Sequence, residues 1–273
     1  AVLLVAGLVS YIFLAPKTIS GDWQLTVNPE ISSDATPDEV ENSDKTYYKF
    51  SNPGEYGDGT YKTFYQGGVE EGEYKLSEKD GKKYIDMGRG EFEYTITGSK
   101  ILKNAKLTVI YPEYTDEETG ETYPSQEYVF YQAQAPDYEK ESFDSFEKDE
   151  KLLGQWATNE RTLTYLMYTL SYTETVNFKD NGIMTIHYES ADLALDRYMY
   201  YAYTTKDNEL EFSLVTNKMF KQKVKYEFDK NGNLNFVDDN TVKSIFFDEV
   251  FGSCTFYKPE NLPDMTTQST TVE

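Results

Sequence analysis

The feature that most constrains the fold is a series of motifs that occurs twice in the same order. A Gly-x-Trp motif stands at Gly21–Trp23 and again at Gly154–Trp156. The matches that follow are Phe50–Gly54 with Phe178–Gly182, Tyr94–Ile101 with Tyr203–Leu210, and Val129–Tyr131 with Thr255–Tyr257. This repeated order indicates an internal duplication, with units at residues 18–137 and 152–260.

Within each unit, apolar and polar residues alternate with a period of two, which is typical of half-buried β-strands. In one such segment Val224, Tyr226 and Phe228 are separated by Lys225 and Glu227. Turn sequences rich in Asn and Gly separate the segments, of which each unit has about eight. A sheet with one apolar face buries that face when it closes on itself. We therefore predict an all-β fold of two consecutive antiparallel up-and-down β-barrels.

Three further segments complete the expected organisation. Residues 1–15 are apolar and uncharged, and Pro16 and Lys17 end this segment. We expect residues 1–17 to be a truncated hydrophobic anchor helix or signal segment, with the rest of the chain extracellular or secreted. A buried element of the first unit is the alternative. The charged residues 138–151 predict a linker between the units, and the polar residues 261–273 predict a disordered tail.

Charge and composition exclude several classes of function. The 48 acidic residues outnumber the 26 basic ones and give a net charge of −22, which disfavours nucleic acid and anionic lipid as partners. One Cys and one His exclude a disulfide framework and zinc sites that need several of these residues. The single histidine, His187, alternates with Ile186 and Tyr188 and is expected on the outer face of its strand. We predict no catalytic residue, no metal site and no cofactor.

The repeated motifs resemble those of the lipocalin-like (calycin-type) domains of exported Firmicutes proteins. Those domains combine Gly-x-Trp, Phe-x-x-x-Gly, Tyr-x-(Val/Ile)-x-Gly-x-x-Leu and an aromatic last strand. The resemblance implies that Trp23 and Trp156 pack across the closed end of each barrel, so that they mark the fold together with Gly21 and Gly154. The arginine that lipocalins place on the last strand is missing, and Gln132 and Lys258 lie near its position. The 23 Lys to 3 Arg suit a low-GC Gram-positive bacterium.

The bulky inward positions differ between the two units. Those of the second unit predict a filled interior: Leu210, Phe212, Leu214, Val224, Tyr226 and Phe228. In the first unit Tyr61, Thr63 and Tyr65 share one strand face, and together with Tyr94 they predict a modest, partly polar ligand pocket.

These features predict a non-enzymatic, membrane-anchored extracellular binding protein with a monomeric ectodomain. Its partner would be a small molecule, a glycan or a protein of the cell envelope, and the sequence does not identify which. The alternative is a carbohydrate-binding protein of the cell envelope that uses exposed Tyr-rich strand faces such as Tyr198–Tyr203. Aromatic rings on a strand face suit sugar stacking, although the core of a barrel also uses them.

Overall fold

A computed structural model describes residues 18–27, 45–115, 120, 122–159, 161–165, 168–190, 195–237 and 255–262. The regular elements of these residues are β-strands, apart from one-turn 3-10 helices at Tyr138–Lys140 and Pro259–Asn261. The chain divides into two compact units, residues 1–136 and 137–273. The predicted anchor at 1–17 and the predicted tail beyond residue 262 lie outside the described residues. In the described part of the chain, no helix is apolar and long enough to cross a membrane.

The first unit contains an eight-stranded antiparallel barrel. Its strands are β1 (Gly21–Val27), β2 (Tyr47–Phe50), β3 (Asp58–Tyr65), β4 (Gly68–Lys79), β5 (Lys82–Asp86), β6 (Glu91–Thr97), β7 (Lys106–Tyr111) and, after a hairpin of β8 (Tyr114–Thr115) and β9 (Thr122–Tyr123), β10 (Gln126–Gln132). Strands β1 to β7 pair in chain order. Strand β10 pairs with both β7 and β1 and closes the barrel. The all-β, antiparallel, up-and-down prediction is confirmed for this barrel.

The second unit continues with a further series of antiparallel strands. They are β11 (Gly154–Ala157), β12 (Arg161–Tyr165), β13 (Tyr168–Phe178), β14 (Ile183–Ser190), β15 (Leu195–Lys206), β16 (Glu209–Leu214), β17 (Gln222–Phe228), β18 (Leu234–Val237) and β19 (Thr255–Phe256). Strand β13 pairs with both β11 and β12, and β13 to β19 pair in chain order. Beside β19, Ala157 and Tyr257 exchange two backbone hydrogen bonds of 2.8 and 2.9 Å.

Each unit has its own core, built from the inward residues of alternating strands. The core of the first unit contains Ile19, Trp23, Leu25, Phe50, Tyr74, Ile85, Tyr94, Ala105, Leu107 and Phe130. The larger core of the second unit contains Leu152, Trp156, Tyr172, Val176, Phe178, Met184, Ile186, Tyr188, Met199, Tyr201, Tyr203, Leu210, Phe212, Val224, Tyr226, Leu234, Phe236 and Phe256. The bulky residues that the sequence places inside the second unit lie in or against this core.

The two Gly-x-Trp motifs have the same local structure. Gly21 pairs with Phe50, and Gly154 pairs with Phe178, so both motifs begin their strand series in the same register. The two glycines have φ of +105° and +96°, a backbone conformation that favours glycine. The two strand series therefore begin alike, as the internal duplication predicts.

The two tryptophans also make the same hydrogen bond. The indole N–H of Trp23 donates to the carbonyl of Ile19, and that of Trp156 donates to the carbonyl of Leu152, each at 2.6 Å. Both indoles are almost fully buried. A buried indole N–H that lacked an acceptor would cost about 1–3 kcal/mol, so these bonds fix how each ring is seated.

One of the sequence matches joins positions that are not equivalent, and the structure corrects it. Tyr94 lies on β6, whereas Tyr203 lies on β15, which is the fourth strand of its series when the β12 hairpin is set aside. The partner of Tyr203 is Tyr74 on β4. Each ring packs edge-on at 5.4 Å against the matched phenylalanine, Phe178 or Phe50. The hydroxyl of Tyr203 donates to the carbonyl of Lys179 at 2.6 Å, and that of Tyr74 donates to the carbonyl of Ser51 at 2.9 Å. Lys179 and Ser51 are the residues that follow the two phenylalanines.

Residues 138–151, for which the sequence predicts a linker, pack on the second unit. The backbone N–H of Thr205 donates to the carbonyl of Glu147 at 2.7 Å. The hydroxyl of Tyr226 donates to Asp149 Oδ2 at 3.0 Å. The segment therefore forms an ordered layer, because its acidic groups and backbone carbonyls find donors on strands of the second unit.

Candidate functional site

A cleft of about 160 Å³ lies on the outer face of the second unit. Its lining residues come from β11, β13, β14 and β15 and from the residue after β13: Gln155, Thr175, Asn177, Lys179, Thr185, His187, Tyr198 and Tyr200. Successive strand residues point to opposite faces of a sheet. Because their neighbours Val176, Ile186 and Met199 belong to the core, the lining residues project outward.

The strand register brings these side chains together in two adjacent rows. The first row of cross-strand partners crosses four strands and consists of Gln155, Asn177, Thr185 and Tyr200. The second row lies two residues along and consists of Thr175, His187 and Tyr198. Cross-strand partners have Cβ atoms about 4.5–5.5 Å apart. The rows therefore form one continuous surface of amides, hydroxyls and aromatic rings.

His187 and Tyr198 form one wall of the cleft. Their rings are parallel, with an interplanar angle of 6° and centroids 4.1 Å apart. His187 Nε2 also lies 2.7 Å from Asp196 Oδ1. Tyr198 remains 36 % exposed, whereas the neighbouring Met199 is 2 % exposed. The outward position of His187, expected from the alternation, is confirmed.

Lys179 and Tyr200 lie at the other side of the cleft, next to the 3-10 helix Tyr138–Lys140. Lys179 Nζ is 2.5 Å from Glu139 Oε1 and 5.8 Å from the centroid of the Tyr200 ring. The ring of Tyr138 packs against that of Tyr200 at 5.6 Å. The 3-10 helix thus holds Tyr200 in place and supplies the carboxylate that neutralises Lys179.

A larger groove of about 570 Å³ lies along β16, β17 and residues 145–147 of the same unit. Four of its eight charged side chains form ion pairs with each other. Lys221 Nζ lies 2.6 Å from Glu211 Oε1, and Lys223 Nζ lies 2.8 Å from Glu209 Oε1. The smaller cleft is the better candidate site, because the rings of Tyr198 and Tyr200 lie there beside amides and hydroxyls.

The interior of the second unit contains a polar group that sequence reasoning did not single out. Glu174 is 2 % exposed on the inward face of β13, and it lies in register with Tyr188, which lies in register with Arg197. Burial raises the pKa of the Tyr201 hydroxyl, and the charge of Glu174 raises it further. Across the described residues, no group of three or more His, Cys, Asp or Glu could hold a metal ion.

The residues expected to form a pocket in the first unit lie in different environments. Tyr94 is 5 % exposed in the core. Tyr61 packs against that core, with its ring 6.4 Å from that of Tyr48 and 6.0 Å from that of Phe50. Burial raises the pKa of both Tyr61 and Tyr94. Thr63 is half-buried, and Tyr65, at the end of β3, is 36 % exposed.

Sequence reasoning found the aromatic part of the cleft and missed its polar part. Tyr198 and Tyr200 belong to the Tyr-rich strand named above. Gln155 and Asn177 were not singled out, because only the register of β11 against β13 places them side by side. The polar side of the cleft could have been recognised from the series Thr173, Thr175 and Asn177, which alternates with residues of the buried face of β13.

The chain matched nothing when it was compared with protein-family models, with curated proteins and with solved structures. The lipocalin-like resemblance is thus a resemblance of motifs. The eight-stranded antiparallel barrel of the first unit is compatible with a calycin-like fold.

Proposed function

We propose that this chain is a non-enzymatic binding protein of the cell envelope, built from two lipocalin-like barrels. Residues 1–17 anchor it, and the rest of the chain lies on the extracellular side. The observation that carries the proposal is a contrast within the second unit. Its interior is filled by buried apolar and aromatic side chains, while its outer face carries a cleft of polar and aromatic groups. In this proposal the chain binds its ligand on the outer face of the strands of the second unit.

The chemistry of the cleft supports binding. Its amide and hydroxyl groups both donate and accept hydrogen bonds, and its rings supply flat apolar surface. His187 already contacts Asp196 and Tyr198, and Lys179 is paired with Glu139. These contacts hold the two basic side chains of the cleft as parts of a fixed surface.

Co-sedimentation with purified envelopes of a low-GC Gram-positive bacterium, freed of membrane by detergent so that residues 1–17 have no bilayer to enter, tests the proposal. We expect the chain to sediment with the envelopes and the Asn177→Ala variant, which removes a lining amide, to stay in solution. Tyr131→Ala is the matched control, because Tyr131 is a 48 % exposed side chain of the first unit. A parallel titration with a hydrophobic fluorophore and a fatty acid tests the interior. Stoichiometric submicromolar binding there, with no effect of Asn177→Ala on sedimentation, would contradict the proposal.

One observation favours carbohydrate over the other envelope components as the ligand. Tyr198 and Tyr200 project from the outer face of β15 into the cleft, whereas Tyr201 and Tyr203 of the same strand are buried in the core. Two of these four tyrosines therefore line the outer cleft, which supports a ligand that stacks on aromatic rings.

A further inference from the structure

We infer that the outer cleft of the second unit is a subsite for one ring of a neutral saccharide. This inference rests on the function proposed above and specifies its ligand. It follows from four properties of the cleft: its aromatic walls, its hydrogen-bonding groups, its charge balance and its size.

The aromatic walls suit the apolar faces of a sugar ring. A pyranose presents C–H groups on its faces, and such faces pack on aromatic side chains. The rings of the cleft are held before any ligand arrives, Tyr198 by its stack on His187 and Tyr200 by Tyr138. Rings that are already ordered lose little conformational entropy when a ligand binds.

The polar row suits the hydroxyls at the edge of a sugar ring. Gln155 and Asn177 each carry an amide that donates and accepts, and Thr175 and Thr185 each carry a hydroxyl that does both. A sugar hydroxyl is likewise a donor and an acceptor. A row of groups with both capacities therefore matches a row of hydroxyls, whereas a purely apolar ligand would leave these groups without partners.

The charges of the cleft favour a neutral ligand over an anionic one. Lys179 is neutralised by Glu139, and His187 faces Asp196. Neither side chain is left to balance a carboxylate or a phosphate on a ligand. The net charge of −22 adds a repulsion for polyanions over the whole protein.

The size of the cleft limits how much of a saccharide it encloses. Its 160 Å³ is well below the roughly 300–1,000 Å³ of pockets that enclose a drug-sized ligand. One ring fits in the cleft, and the rest of an oligosaccharide lies along the outer face of the sheet. We therefore expect modest affinity for a short oligosaccharide.

Calorimetric titration of the chain with defined oligosaccharides tests the inference. The probes are three neutral tetrasaccharides (chitotetraose, cellotetraose and maltotetraose) and the anionic tetragalacturonate. We expect at least one neutral probe to bind and tetragalacturonate not to bind. Tyr198→Ala weakens binding of that probe by about tenfold, because the stacking surface is lost. The affinity of Tyr198→Phe for the probe stays near that of the unaltered chain. Tyr131→Ala, which also removes an exposed tyrosine, leaves the affinity unchanged.

The variants separate this inference from the proposed function. If none of the neutral probes binds, while Asn177→Ala still abolishes sedimentation with envelopes, the saccharide inference fails and the binding function stands. Binding of tetragalacturonate as tightly as the neutral probes overturns the argument from charge. Equal loss of binding in Tyr198→Ala and Tyr131→Ala overturns the assignment to the cleft. Thermal melts of each variant identify any that has unfolded. If Tyr198→Ala has unfolded, Asn177→Ala, which removes a lining amide and should weaken binding of the neutral probe, carries the test in its place.

Discussion

The two tryptophan sites share an indole, a glycine and a carbonyl acceptor, but they obtain their cation from different places. In the second unit, Lys258 follows the last strand, and its Nζ lies 3.8 Å from the ring of Trp156. In the first unit the residue in register with Trp23 is Gln132. The cation there is Lys100, from the turn between β6 and β7, with Nζ 5.5 Å from the ring.

The difference shows that the position of the cation matters more than the strand that supplies it. Lys100 donates to the carbonyl of Ser20, and Lys258 donates to the carbonyl of Leu153 at 2.9 Å. Each acceptor is the third residue before the tryptophan. Each ammonium thus satisfies a carbonyl at the start of its unit while it lies over an indole. Burial lowers the pKa of both lysines, so this placement has a desolvation cost.

The largest expected effect comes from removing each indole. Trp23→Ala and Trp156→Ala should each lower the free energy of unfolding of their own unit by about 3–5 kcal/mol, as for other buried aromatic residues. Urea denaturation followed by circular dichroism measures the loss in the altered unit, and the fluorescence of the remaining tryptophan shows whether the other unit keeps its stability. A loss below about 1 kcal/mol would contradict the buried placement of the indole and would make it a candidate for ligand stacking.

Alkaline pH should affect the second unit more than the first. Burial raises the pKa of Tyr203 to about 12 and also raises the pKa of Tyr201 and Tyr226. A raised folded-state pKa adds stability that is complete below the unfolded value of about 10 and is lost as pH rises toward the folded value. We expect the second unit to lose about 3 kcal/mol between pH 9 and pH 11.

The first unit is the comparison for this pH effect. Among its described tyrosines, Tyr61, Tyr74 and Tyr94 have a raised pKa, and the rise is smaller than in the second unit. The lowered pKa of Lys100 and that of Lys258 each act in the opposite direction in their own unit. Urea denaturation at the two pH values, in Trp156→Phe for the first unit and in Trp23→Phe for the second, separates the losses. Equal losses of stability in the two units would contradict the predicted difference between them.

The smallest expected effect comes from removing each cation. Lys258→Met should lower the stability of the second unit by about 2 kcal/mol, because a charged hydrogen bond and a close cation–π contact are lost. Lys100→Met should cost about 1 kcal/mol, because its ammonium is farther from the indole. Adding Gln132→Lys to Lys100→Met should restore part of the loss, since Gln132 pairs with Trp23. If thermal melts show no loss of stability in Lys258→Met, the proposed role of the cation at the tryptophan sites is wrong.

The sequence predicted local features well and distant pairings less well. The Gly-x-Trp motifs and the alternation around Tyr226 depend on neighbouring residues, and the structure bears them out. The match of Tyr94 with Tyr203 failed because tyrosine before a hairpin turn occurs on several strands. The contacts of Tyr74 with Phe50, which identify the true partner, depend on which strands lie side by side. The polar side of the cleft depends on register in the same way.

The closure of the first barrel has a consequence for the order in which the chain is made. Strand β1 pairs on one side with β2, which follows it closely, and on the other side with β10, where Trp23 lies opposite Gln132. At a synthesis rate of about 5–20 residues per second, β10 leaves the ribosome about 5–20 s after β1. Throughout that interval one edge of β1 has unpaired backbone groups, which can pair with other nascent chains. Trp23 is therefore fully enclosed only when the unit is complete.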